Sequence, residues 1–147
     1  MAHARTQIRQ ALVTRLTGLA TTGVNIAADR YHLFDDATLP ALRVYAESED
    51  LLDELMGGRQ QRRVTFTVEA IAKQNAALDD TLDQIALEVE TAIASERTLG
   101  GLARGGMRYG GIGDFRSDDM LEHPAGIWPL RFTAEYDVDA NAPGIIT

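Results

Sequence analysis

The chain has 147 residues, 45% of them apolar, a formal net charge of −8 at pH 7, an isoelectric point near 4.8 and no cysteine. That apolar share suits one globular domain with its own core and excludes a disordered chain. The missing cysteine excludes disulfides, thiolate nucleophiles and Cys-based zinc or iron–sulfur sites, and it fits a reducing cytoplasm. Affinity for nucleic acid comes largely from Lys and Arg on phosphates, so an acidic chain is a poor DNA binder, although an acidic wall suits a channel through which DNA slides without sticking. No run approaches the roughly 18 apolar residues of a transmembrane helix, and the first residues carry no apolar signal core, so neither membrane insertion nor secretion is expected.

In chain order, Ile8, Leu12, Leu16 and Leu19 form one helical stripe over 6–19. Gly18 and Gly23 bracket the helix end and a turn. A short strand is expected at 24–27, then an acidic turn at Asp35 and Asp36, then a second strand over 39–45 with Pro40 near its start. The stretch 47–63 begins acidic (Glu47, Glu49, Asp50, Asp53, Glu54) and ends basic (Arg59, Arg62, Arg63), with Gly57 and Gly58 as a break. Leu51, Leu52, Leu55 and Met56 lie inside it. A polar loop carries such residues only if they cover something. Two readings stay open: a helical turn packed on its own core, or a projecting arm packed on a neighbouring subunit.

The alternation Val64, Phe66, Val68, Ala70 predicts a central strand over 64–72. A second helix follows over 76–95, with the stripe Leu78, Leu82, Ile85, Val89, Ile93 and with Asp79, Asp80 and Asp83 near its positive dipole end. The stretch from Gly110 to Asp139 reads as a long antiparallel hairpin: a glycine-rich strand, an acidic turn, then a strand with Leu130, Phe132, Ala134, Tyr136 and Val138 on one face and Arg131, Thr133, Glu135 and Asp137 on the other. Residues 141–147 read as a flexible C-terminal tail after a single domain over 1–140. Helices with one apolar stripe and strands with one apolar face predict an α+β fold: two helices packed on one face of a four- to five-stranded, mostly antiparallel mixed sheet. Leu16, Phe66, Leu82, Ile85, Trp128 and Phe132 should share one core, and the polar sheet face should stay open.

Catalytic patterns are missing. His3, His32 and His123 stand apart from one another in sequence, and there is no nucleophile elbow. Gly100 to Gly106 is glycine-rich but lacks the Lys-Ser/Thr of a phosphate loop and precedes a strand. Asp114, Asp118, Asp119 and Glu122 have no calcium-loop spacing, so they read as a solvated turn rather than a metal site. No enzyme activity and no cofactor are expected.

Four segments carry a resemblance. These are the opening His3-Ala4-Arg5-Thr6-Gln7-Ile8-Arg9; Leu39-Pro40-Ala41-Leu42-Arg43-Val44-Tyr45-Ala46 after the acidic turn; the strand 63–70 followed by a helix; and Asp114-Phe115-Arg116, Asp118-Asp119 and Gly126-Ile127-Trp128 leading into the alternating strand to Tyr136. Together they resemble the phage tail terminator proteins, also called minor tail protein U. The chain departs from that pattern in the extra stretch 120–124 and in a longer segment after Val138. The resemblance implies a structural virion protein: an α+β subunit in a hexameric ring that caps the tail tube, ends its polymerisation and presents a surface for head attachment. Its implied partners are further copies of itself, the major tail tube protein and the head–tail connector, with DNA only as cargo through the lumen and no membrane. On that reading Leu51, Leu52, Asp53, Glu54, Leu55, Met56, Arg59, Arg62, Arg63, Asp118 and Asp119 are candidate interface residues. A head–tail joining or tail completion protein, and a small acidic ligand-binding or enzymatic α+β domain, are the alternatives.

Overall fold

The computed structural model describes residues 2–118 and 124–147. Helix α1 (Ala4–Leu16) is started by His3, whose Nδ1 accepts from the Arg5 amide at 3.1 Å, and it buries Ala4, Ile8, Leu12 and Leu16. Helix α2 (Leu78–Ser95) buries Leu82, Ile85, Val89 and Ile93, one face of a 3.6-residue period. Both stripes enter a single core with Leu42, Val44, Phe66, Val68, Leu130, Phe132 and Tyr136 of the sheet, so the two helices cover the same sheet face. Five of the six expected core residues are buried there, and Trp128 packs partly buried against it.

The fold is α+β, as expected, with a wider sheet. Strand β1 (Ile26–Ala27) runs parallel to β2 (Ala41–Glu54), and every other pairing is antiparallel. The main order is β1-β2-β3-β6-β4, with β3 (Arg59–Lys73) and β6 (Ala125–Asp139) paired from Arg59↔Asp139 to Lys73↔Ala125. The other edge of β6 is shared by three strands: β5 (Arg116–Asp118), β4 (Arg104–Ile112) and β7 (Ala142–Ile146). The expected long hairpin therefore exists, with its first arm broken at 113–115 into β4 and β5.

Three expectations change. The segment 141–147 is not left without a partner: β7 folds back on β6 through Val138↔Ile146 and Asp139↔Ala142, and Gln7 Nε2 donates to the Gly144 carbonyl at 2.6 Å. Backbone donors at the end of β6 need partners, and β7 supplies them. The stretch 47–63 is not a helical turn. β2 and β3 continue through it as one hairpin, closed by a short 3₁₀ turn, Met56–Gly58, with Gly57 and Gly58 at positive φ. The second sheet face is not wholly open either. At one end Phe34 and Leu39, from the segment between β1 and β2, cover the register pair Ile71↔Ile127 and Ala41 in a second small core.

Candidate interaction surface

At the hairpin end, Leu51 is 56% exposed, Leu52 38%, Leu55 36% and Met56 98%, so these four side chains do not enter their own subunit's core. The turn itself is tight: the Leu55 amide donates to the Arg59 carbonyl at 2.7 Å. Soluble monomers seldom concentrate large apolar side chains on so short a segment.

The charges around this cluster are arranged differently from their sequence order. Arg59, Arg62 and Arg63, which look unpaired in the sequence, are each held by a carboxylate of the same chain. Arg59 lies 3.5 Å from Asp137, Arg62 3.6 Å from Glu49 and Arg63 2.9 Å from Glu135. The basic end of the segment is thus occupied within the subunit. Asp50, Asp53 and Glu54 have no cationic partner among the described residues; Asp53 only accepts from the Glu54 amide. Asp118 lies in β5, opposite Ala125, at the far end of β6 from Asp139. At about 3.3 Å per residue, that is roughly 45 Å from the hairpin end, so the structure does not bring Asp118 together with the other candidates. Asp119, Glu122 and His123 lie outside the described residues.

Glu49 organises the junction of the hairpin with α1. It accepts from Tyr136 Oη and from Arg5 Nη1, the latter at 2.5 Å. Burial, and then the hydrogen bond to Glu49, push the Tyr136 hydroxyl up to about 12. His3, beside this group, is held below its ordinary value by burial first and then by the Arg5 charge.

The sheet face away from the helices carries a lattice of ion pairs. Glu69, 1% exposed, accepts from Arg43 Nε at 2.9 Å and from Arg116 Nη2, while Arg43 also donates to the His32 carbonyl at 2.8 Å. Glu47 accepts from Thr67 Oγ1 and Arg131 Nε, each at 3.0 Å. Glu135 takes Arg63 and Arg104, and its carboxyl is held below the usual range chiefly by the Arg63 hydrogen bond. Each carboxylate meets at least one guanidinium from another strand, adjacent or one strand removed, so the face is largely neutralised internally. From the sequence, Arg131, Thr133, Glu135 and Asp137 are expected on it. The partners of the charged ones are tens of residues away and become visible only once the register is known.

No catalytic constellation forms among the described residues, and no three His, Asp or Glu side chains gather there as metal ligands. His3 caps a helix, and His32 packs edge-on against Phe34 at 4.6 Å. No family profile and no curated protein matches the chain. Among solved structures, it is similar to a chain of the virion of a native gene transfer agent particle, with a TM-score of 0.56 and 15% identity over 93% of this chain and 100% of that one. At that identity the likeness is one of fold.

Proposed function

We propose that this chain is a non-enzymatic structural subunit of a tailed-phage-type virion: a tail terminator that closes into a ring, most simply a hexamer, on the head-proximal end of the tail tube. There it ends tube polymerisation and offers the head–tail connector a surface, with DNA passing through the lumen. The observation that carries the reading is the exposed apolar hairpin end, Leu51, Leu52, Leu55 and Met56. The shared fold with a virion chain supports a place in such a particle, and the tail terminator role follows the resemblance of the four sequence segments.

Magnitudes favour the apolar residues as the source of affinity. Fully burying a Leu or Met side chain is worth about 1.5–3 kcal/mol, so covering what these four still expose contributes on the order of 5 kcal/mol per contact. Exposed ion pairs contribute only about 0–1 kcal/mol each, so the charges around the cluster set register and partner choice. Head-to-tail closure needs two different patches per subunit. The sheet offers two different edges, β2 beyond Arg43 on one side and β4 on the other.

The test is native mass spectrometry of the purified chain together with electron microscopy of tails assembled in its presence. The parent should form rings and cap tube ends. Variants carrying Leu52→Ser with Leu55→Ser, or Asp53→Lys with Glu54→Lys, should melt near the parent temperature and lose both properties. A chain that stays monomeric at high concentration and ignores tube ends removes the reading. Unfolding of both variants instead makes the hairpin end part of the subunit's own fold.

A further inference from the structure

Asp50, Asp53 and Glu54 at the hairpin end have no cationic partner among the described residues, and the basic residues nearest in sequence, Arg59, Arg62 and Arg63, are already paired within the chain. One surface elsewhere on the subunit has the complementary make-up. Between α2 and β4 lies a groove of about 370 Å³ whose floor is Ile93, Met107 and Phe132. Tyr109 forms one wall, half-exposed and edge-on to Phe132 at 5.6 Å. Arg97 and Arg108 also line it, and neither has a carboxylate partner among the described residues. Glu90 is the one carboxylate there, so the lining carries a net positive charge.

Two other grooves fit less well. The one on the outer side of α2, beside Leu19 and Leu87, has Glu88 in its lining and would repel an acidic segment. The one beside Arg116 and Arg131 has cations that already hold Glu69 and Glu47.

We propose that the hairpin end of one copy seats in the α2–β4 groove of the next copy. Leu51, Leu52, Leu55 and Met56 meet the apolar floor, and Asp50, Asp53 and Glu54 meet Arg97 and Arg108. This rests on the ring-forming reading above and adds to it the receiving surface. The hairpin end belongs to the β2–β3 side of the sheet and the groove to the β4 side, opposite edges in the strand order. Joining two different patches on opposite edges makes a heterologous contact, the type that propagates from copy to copy and closes into a ring. It also gives the acidic patch an attractive partner while leaving the internal ion pairs of the sheet intact.

The natural absence of cysteine makes a cross-linking test clean. Met56→Cys and Ala94→Cys both fall at exposed positions, so neither should disturb the fold. Under mild oxidation the double variant should give a ladder of covalent multimers. Each single variant should not, since a head-to-tail contact never sets the same position of two copies side by side. In parallel, Arg97→Glu with Arg108→Glu should weaken self-association by about tenfold or more. Mixing that variant with Asp53→Lys/Glu54→Lys should restore assembly beyond a dimer, because both contacts of an alternating array are then attractive: acidic end into Arg-bearing groove, and Lys-bearing end into Glu-bearing groove. If the parent forms rings but the double-cysteine chain cross-links no better than the single variants, the groove assignment is wrong and the ring reading stands. If the parent does not assemble and the double-cysteine chain does not cross-link, both fall.

Discussion

Glu69 is the sharpest test of how the sheet face is held together. Its carboxylate is 1% exposed, and it anchors Arg43, whose side chain is only 11% exposed, together with the half-exposed Arg116. Replacing Glu69 by leucine leaves the Arg43 guanidinium buried with only the His32 carbonyl as partner. Removing one member of a buried pair costs about 3–5 kcal/mol, because the remaining charge stays desolvated. Arg116 turns to solvent and adds less than about 1 kcal/mol. Against a total stability of roughly 5–15 kcal/mol this is a large loss, and for a chain of this size it lowers the melting temperature on the order of 10 °C. The companion variant, Glu69→Leu with Arg43→Met, removes both charges and should return to within about 1 kcal/mol of the parent or exceed it. The assay is urea unfolding at a protein concentration below self-association, since assembly itself raises apparent stability. A loss under about 1 kcal/mol in the single variant, or a double variant as unstable as the single, refutes the reasoning.

Two further predictions concern the core and its alkaline limit. Phe132, 2% exposed and in register with Phe66, should cost about 3–5 kcal/mol when replaced by alanine; an unchanged urea midpoint means that the face of β6 towards the helices is misassigned. Tyr136, raised to about 12 by burial and then by Glu49, favours its neutral form in the folded state. The stability linked to that shift is whole below the ordinary tyrosine value of 10.0 and is lost as pH rises through about 12. Denaturation measured across that window should show a falling limb in the parent that Tyr136→Phe flattens, and equal limbs in both proteins count against the shift.

Local periodicity alone determined the helices and the central strands. Of the expected stripes, Ile8, Leu12 and Leu16 and Leu82, Ile85, Val89 and Ile93 are buried, as are Phe132, Ala134, Tyr136 and Val138 of β6, while Leu19, beyond the end of α1, and Leu78, at the start of α2, are only partly buried. Such patterns are legible because each helix or strand turns a fixed set of side chains to one face whatever its neighbours are. The hairpin's apolar residues were legible as an anomaly, but not as a hairpin. Their segment has neither period, and only pairing with β3 makes β2 continue to Glu54.

Tertiary structure decided what depends on register and on remote chain. Arg63 faces Glu135, and Arg59, opposite Asp139, reaches diagonally to Asp137, because β3 and β6 align over their whole length. Arg63 and Glu135 are 72 residues apart in sequence, beyond any local spacing rule. The same holds for β7, whose docking is set by the free backbone groups it meets on β6. It holds too for the groove between α2 and β4, which exists only once Phe132 from a third element closes its floor. Burial periodicity is a property of one element, whereas charge pairing, edge pairing and grooves belong to pairs of elements, and only the assembled sheet brings those pairs together.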